Sequence, residues 1–235
     1  LLNVNEANKI VIENTSLRNV TGNIQLINIP TFRILKSVFI NMLSSSMILY
    51  NSSKIIMKYT IFSNTKNAMT GAMVLIQDDL SSLNLSITNC TFNQCSSKKL
   101  SSALSIISFA ESKHYLILSD VNHEGKSVQN KHDTPLATLN ISIISTTFKN
   151  CRTPMRGGAI YIRINENLNQ AKNNKIIASF FNCMFMSNRA ISGGAVTIIH
   201  GHRLHIQWCQ FINNTAKIRA GALHLLSVHY VSLRY

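Results

Sequence analysis

Two short runs of this sequence decide its fold: Phe185-Met186-Ser187-Asn188 and, starting five residues after the asparagine, Gly193-Gly194-Ala195-Val196. The pair recurs where Phe211 and Asn214 are followed by Gly221-Ala222-Leu223. In five segments a Phe is followed, ten or eleven residues later, by an Ala that often has Gly before it. The aromatic positions are Phe62, Phe92, Phe148, Phe185 and Phe211, and the small positions are Ala72, Ala103, Gly158-Ala159, Gly194-Ala195 and Gly221-Ala222. Five coincidences at one offset indicate an internal repeat.

Segments with alternating apolar residues lie on both sides of each repeat. Residues 160–164 follow one Gly-Ala step, and residues 139–143 precede one Phe. Such alternation is typical of β-strands, and Gly beside Ala fits a tight turn with little internal space. From Phe39 onward the aromatic positions are 23, 30, 56, 37 and 26 residues apart. We therefore predict an all-β fold, a right-handed single-stranded parallel β-helix (a solenoid) of about 7 to 8 coils.

The longer spacings need an explanation of their own. The spacing of 37 is explained by a polar loop at residues 165–174. The spacing of 56 fits either one degenerate coil near Tyr115 to Val121 or a long loop, and we favour the degenerate coil plus a loop near residues 122–136. Residues 1–235 are thus predicted to form one β-helix segment.

Repeat quality is uneven along this segment. Residues 56–235 carry clear repeats, whereas residues 1–55 contain weaker coils with Leu17 and Phe39 at the aromatic position. The sequence starts with Leu rather than Met and ends in an apolar strand pattern, so we expect it to be part of a longer chain.

Composition favours strands and limits the partners. Ile, Leu, Ser, Thr and Asn dominate, as expected for strands joined by tight turns. No apolar run reaches the roughly 18 residues of a transmembrane helix. The formal net charge is +14, with local groups such as Lys98-Lys99, Lys172 to Lys175 and Lys217-Ile218-Arg219. Aromatic residues are not interleaved with these cations, so we expect no nucleic-acid partner.

The five cysteines fall into two columns of the alignment. Cys90, Cys183 and Cys209 lie two residues before a Phe, and Cys95 and Cys151 lie three residues after one. Stacked coils would bring the pairs Cys95-Cys151 and Cys183-Cys209 within disulfide range. The alternative is that they are buried thiols filling columns otherwise held by Thr or Asn. Without a Cys-x-x-Cys pair, we expect no zinc site.

The motif Phe-x-x-Asn with Gly-Gly-Ala-[Ile/Leu/Val] resembles the repeats of chlamydial polymorphic outer-membrane proteins. It is equally similar to the pectin-lyase-like β-helix repeats of secreted eukaryotic proteins. This resemblance covers residues 56–228 and implies an extracellular or cell-surface solenoid, often concerned with adhesion. Seven Asn-x-Ser/Thr sequons are candidate N-glycosylation sites in such a compartment. They are Asn14, Asn19, Asn51, Asn84, Asn89, Asn140 and Asn213.

Catalytic and metal sites are not expected. A β-helix enzyme that cleaves acidic polymers needs clustered carboxylates, and the only adjacent pair here is Asp78-Asp79. The segment His200-Gly201-His202 could hold a metal if extended, but we interpret it as a surface turn. The remaining acids we considered fall in predicted loops or between strands. They are Glu111, Asp120, Glu124, Asp133 and Glu166.

We therefore predict a non-catalytic structural or adhesive segment without a cofactor. The alternative is a module that binds acidic glycan through a basic face. A polysaccharide lyase or hydrolase is the third class. Partners would be another protein, an acidic glycan, or further copies associating end to end or laterally.

Overall fold

The computed structural model describes residues 2–43, 47–67, 71–78, 82–109, 138–164 and 175–235. In this part of the chain every regular element is a β-strand, and most strands stack in parallel into three long sheets, here named A, B and C. One rung consists of a strand of sheet A, then one of sheet B, then one of sheet C. The fold is a right-handed parallel β-helix of eight rungs, numbered from the N-terminus, which confirms the predicted fold class.

The strands follow this order along the chain, and each pairs with the equivalent strand of the next rung. Sheet A contains β1 Leu2–Asn5, β4 Ile24–Ile27, β7 Met47–Tyr50, β11 Met73–Asp78, β15 Leu104–Phe109, β18 Ile160–Ile164, β22 Val196–Ile199 and β26 Leu223–Leu226. Sheet B contains β2 Lys9–Glu13, β5 Thr31–Leu35, β8 Lys54–Lys58, β12 Leu83–Thr88, β16 Thr138–Ile144, β19 Lys175–Phe181, β23 Arg203–Gln207 and β27 Tyr230–Arg234. Sheet C contains β3 Ser16–Arg18, β6 Val38–Ile40, β9 Ile61–Ser63, β13 Thr91–Asn93, β17 Thr147–Lys149, β20 Met184–Met186 and β24 Gln210–Ile212.

A fourth side connects sheet C to sheet A of the following rung. Two short parallel pairs lie there, β10 Lys66–Asn67 with β14 Ser96–Ser97 and β21 Arg189–Ser192 with β25 Thr215–Arg219. The Gly-Ala steps also lie on this side. A Cβ atom at Gly158 would collide with the carbonyl oxygen of Gly194, and one at Gly194 with that of Gly221. Glycine is required there because the backbones of successive rungs touch.

The Phe residues of the repeat form a single internal stack. Starting with Phe39 and ending with Phe211, six rings lie face to face, with centroids 4.6 to 5.2 Å apart and planes within 6° of parallel. Burying one such side chain contributes about 1.5 to 3 kcal/mol. In rung 1 the position belongs to Leu17, which pairs with Phe39. The strict register follows because a slip of one residue would turn every Phe outward.

Residues in the left-handed region form the corners between sheets. Twenty described non-glycine residues have positive φ, and ten of them are Asn. Asn tolerates this region better than other non-glycine residues because its short side chain bonds locally. The high Asn content of the sequence thus has a backbone cause.

The predicted degenerate coil near Tyr115 to Val121 is wrong. Strand β12 pairs directly with β16, β13 with β17 and β15 with β18, so the rungs of Phe92 and Phe148 are neighbours. The spacing of 56 residues therefore separates adjacent rungs. Both predicted loops, near 122–136 and at 165–174, lie outside the described residues, as do residues 115–121.

Candidate functional surfaces and thiol positions

The corner between sheets B and C holds a column of hydroxyl and thiol groups that face inward. Each donates a hydrogen bond to the carbonyl oxygen two residues earlier, at 2.8 to 3.4 Å. The column consists of Thr15, Ser37, Thr60, Cys90, Thr146, Cys183 and Cys209. In this column, named here the B–C column, cysteine replaces a hydroxyl residue and performs the same turn-closing role.

Two of these cysteines are neighbours on rungs 6 and 7. The backbone N–H of Cys183 donates to Sγ of Cys209 over 3.4 Å. The hydrogen bond from the Cys183 thiol lowers the pKa of Cys209 to about 7, and Cys209 is half-buried. The same contact, together with burial, raises the pKa of Cys183. Cys209 is therefore the thiol best placed to react.

The turn after sheet C holds a second inward column, the C–A column, that ties successive rungs together. Nδ2 of Asn188 donates to the carbonyl oxygen of Phe148 at 3.0 Å, and Nδ2 of Asn214 donates to that of Phe185 at 2.8 Å. Sγ of Cys151 makes the equivalent, longer contact of 3.7 Å with the carbonyl of Phe92. Buried turn carbonyls thus gain partners from the next rung.

Both predicted cysteine pairs lie on neighbouring rungs, and all five cysteines are free thiols in this structure. Cys95 and Cys151 are fully buried in the C–A column, and their thiols contact each other. Burial raises the pKa of Cys151 well above its usual range. Burial also raises the pKa of Cys90, to about 11, and its neighbours in the column are Thr60 and Thr146. Disulfide formation by Cys95-Cys151 or Cys183-Cys209 stays a prediction.

The seven sequon asparagines all lie on the surface. Five of them, Asn14, Asn19, Asn51, Asn89 and Asn213, are left-handed corner residues. Asn84 and Asn140 lie on the outer face of sheet B, where Nδ2 of Asn140 donates to Oδ1 of Asn84 at 3.1 Å. Six are exposed and Asn51 is half-buried. Their positions leave glycosylation sterically open, and occupancy stays a prediction.

The outer face of sheet B is open. A shallow depression of about 390 Å³ crosses β8, β12, β16 and β19. Its floor is formed by the small side chains of Ser86, Ser142 and Ser179, and Lys54 lies at one end. The outward side chains of Ile56 and Ile177 also line it, so the surface is mixed in polarity. Its weak enclosure distinguishes it from the concave pockets that bind small molecules.

The outer face of sheet A, in contrast, is apolar and buried, which the sequence reading missed. Its side chains form two clusters that share Leu100. One contains Ile48, Val74 and Ile76 with Tyr50, and the other contains Ile107, Tyr161 and Ile199 with Leu226. The signal was present in β7, Met-Ile-Leu-Tyr, and in β11, which begins Met-Val-Leu-Ile. Strands buried on both faces read as continuous apolar runs.

Of the candidate acid and histidine residues, the structure describes Asp78, His200 and His202. His200 is a left-handed corner residue between β22 and β23, which agrees with a turn. The ring of His202 lies 5.9 Å from that of His229 in the next rung, with the two planes tilted by 49°. The described residues contain no group of three side chains suited to a metal ion. Asp78 ends β11, whereas its partner Asp79 lies outside the described residues, and so do Glu111, Asp120, Glu124, Asp133 and Glu166.

Comparison with known proteins identifies no relative. No family model, no curated protein and no solved structure matches the chain. The geometry defines the class as a right-handed parallel β-helix. In the part that the structure describes, no helix is long and apolar enough to cross a membrane.

Proposed function

We propose that this chain is a non-catalytic structural or adhesive segment of an extracellular protein. The observation that carries the proposal is the uninterrupted stack of eight rungs, with paired columns of Phe, hydroxyl or thiol, and amide side chains. Each rung buries its apolar residues only against its neighbours, so the stack is cooperative along its length. A stack of this kind holds its outer faces in fixed positions, as a scaffold or adhesin requires.

The extracellular placement is supported by the surface position of the seven sequons and by the resemblance of the repeat to pectin-lyase-like secreted proteins. It is tested on the protein in its native cells. We expect the chain to be reached by protease added to intact cells and to migrate faster after peptide-N-glycosidase treatment. A cytosolic protein without a glycosidase shift would contradict this placement.

Adhesion is tested with beads that carry the folded chain. We expect attachment to cell layers or extracellular matrix well above the level of beads carrying the heat-unfolded chain, because only the folded rod presents ordered faces. Equal attachment by both bead types would refute the adhesive role. Cleavage of an acidic polysaccharide by the purified chain would refute the non-catalytic proposal.

A second candidate function is the binding of acidic glycan through a basic face. It is favoured by the net charge of +14 and by the exposure of Lys98, Lys99, Lys217 and Arg219. Long-range attraction between a cationic protein and a polyanion raises both the association rate and the affinity at low salt.

A further inference from the structure

The fourth side of the β-helix carries a row of cations, named here the cationic ridge. It lies between sheet C and sheet A of the following rung, and rungs 3 to 7 each contribute at least one exposed side chain. The ridge consists of Lys66, Lys98, Lys99, Arg152, Arg156, Arg189, Lys217 and Arg219. With rungs ~4.8 Å apart, five rungs extend over about 19 Å along the axis.

Backbone register aligns these side chains into columns. One column runs Lys66, Ser96, Arg152, Arg189 and Thr215, so two arginines are direct neighbours. A second column runs Arg156, Ser192 and Arg219, with the serine between the two cations. Both columns run parallel to the axis of the β-helix.

Nothing in the described residues neutralises the ridge. The described acidic residues are Glu6 and Glu13 in rung 1 and Asp78 at the end of β11, and no ridge side chain forms an ion pair or hydrogen bond within the described part. Like charges on neighbouring strands destabilise a sheet. The repulsion between Arg152 and Arg189 therefore lowers the stability of the fold, and no contact within the described residues compensates for it.

The positive charges of the cationic ridge act on His224, a buried residue in the last strand of sheet A. His224 is 8% exposed, its Nδ1 has no hydrogen-bond partner among the described residues, and its pKa is lowered by burial and then by the charges of Arg156 and Arg219. An anion bound between these two arginines would reduce that repulsion.

We propose that the cationic ridge binds a linear acidic polysaccharide, carrying sulfate or carboxylate groups, laid parallel to the axis of the β-helix. This proposal deepens the second candidate function and rests on the extracellular placement. A linear polyanion fits because its charges recur along a line, as the cations do. Arginine favours such a partner because its guanidinium matches sulfate and carboxylate oxygens in a two-pronged hydrogen bond.

Nucleic acid and membrane fit the ridge less well. The exposed rings of the described residues lie in sheet B, at its corners or directly after β27, so the ridge offers no platform for stacked bases. They are Tyr59, Trp208, Tyr230 and Tyr235. Three exposed apolar side chains lie beside the cations, namely Met155, Ile218 and Leu43, which pairs with Lys66. They are too few for an apolar face that inserts into a membrane, where a stripe of such residues is needed.

The experiment compares two variants of the full chain that lose four positive charges each. The ridge variant is R152Q/R156Q/R189Q/R219Q, and the control variant is K54Q/K58Q/K175Q/R203Q on the outer face of sheet B. The probe is a heparin oligosaccharide of defined length, with binding measured by calorimetry at several salt concentrations. All eight positions are exposed, so both variants should fold as the parent chain does. The ridge variant should unfold at the parent's temperature or slightly above it, because the repulsion between Arg152 and Arg189 is removed.

We expect the ridge variant to lose about tenfold or more in affinity and to show a shallower salt dependence, while the control variant stays within about twofold of the parent. Equal losses in both variants would overturn the proposal, because net charge alone would then explain binding. Tighter binding to phosphatidylserine vesicles or to single-stranded DNA than to heparin would also overturn it. Absence of heparin binding in the parent would refute the ridge site, whereas the bead assay judges the adhesive role independently.

Discussion

Sheets A and B are built on the same plan and differ in what lies outside them. Both have eight strands in register, and both bury an inner row of Ile, Leu and Met. The outer face of sheet A is buried in apolar clusters around Leu100, whereas the outer face of sheet B is open and carries both polar and apolar side chains. The sequence records the difference. In sheet A the strand β7, Met-Ile-Leu-Tyr, and the first four residues of β11 are continuous apolar runs. In sheet B a strand such as β12, Leu-Asn-Leu-Ser-Ile-Thr, alternates.

The comparison teaches that a β-helix has two kinds of wall. A strand in which apolar and polar residues alternate exposes one face to solvent. A strand that is apolar throughout predicts that both of its faces are buried. In this protein the outer side chains of Ile48, Val74, Ile76, Ile107 and Ile199 in sheet A are buried, whereas the outer face of sheet B is open.

The largest effect is expected from placing a charge on the outer faces of one rung. Ile76→Asp in β11 buries an unpaired carboxylate and should lower the free energy of unfolding by about 4 kcal/mol. Ser86→Asp in β12, at the open face, should cost less than about 1 kcal/mol. Urea denaturation measures both variants. Comparable losses would show that the two outer faces do not differ.

A second test addresses the inner faces, which we expect to be equivalent. Leu75 and Leu85 both face the core from rung 4 and are fully buried. Replacing either with Ala should cost about 3 kcal/mol, because a cavity of similar size is left in each case. A loss confined to Leu75→Ala would mean that sheet B contributes little to the core, which contradicts the common plan.

The C–A column beside sheet A is tested at Asn188. Asn188→Ala leaves the carbonyl of Phe148 without its 3.0 Å donor and should cost about 2 kcal/mol. Asn188→Cys, which copies the residue found at Cys151 in the same column, should recover part of that loss. Equal stability of the two variants would show that the thiol does not replace the amide. Thermal or urea unfolding reports both.

The smallest energetic effect, and the sharpest chemical one, concerns thiols at the two corners. Cys209 lies in the B–C column and is half-buried, whereas Cys95 and Cys151 lie in the C–A column and are fully buried. Because the pKa of Cys209 is lowered to about 7, its thiolate fraction and its rate of alkylation by iodoacetamide should rise as pH increases through about 7. The two thiols of the C–A column should react only after unfolding, since both are fully buried and therefore inaccessible to the reagent.

Mass spectrometry of each alkylated cysteine measures these rates. The variant Cys183→Ala removes the thiol that donates to Cys209, so the midpoint of the alkylation profile should move upward, toward the usual thiol range near 8.5. An unchanged midpoint would show that Cys183 does not set the pKa of Cys209. Faster labelling of Cys95 than of Cys209 in the folded chain would contradict the expectation that thiols of the C–A column are less reactive than Cys209.

Much of the architecture was predictable because equivalent residues of successive repeats lie above one another once the coils stack. A Phe in every coil implies a ring stack once coils are stacked, and the position three residues later implies a shared turn. The role of Asn188 and Cys151 as donors to the preceding rung follows from that alignment. The cationic ridge was only partly predictable, since Arg152 and Arg189 are 37 residues apart in sequence and become neighbours only through register.

The sequence by itself determined the strands, their repeat and the inner residues, because alternation and the Phe to Ala offset are local patterns that one coil already displays. Only the tertiary structure decided which rungs are neighbours, since the 56 residues between Phe92 and Phe148 are compatible with one rung or two. It also decided that outer side chains of sheet A are buried and that the cations of five rungs form one row. These properties depend on contacts between distant residues, which only the stacking of complete rungs creates.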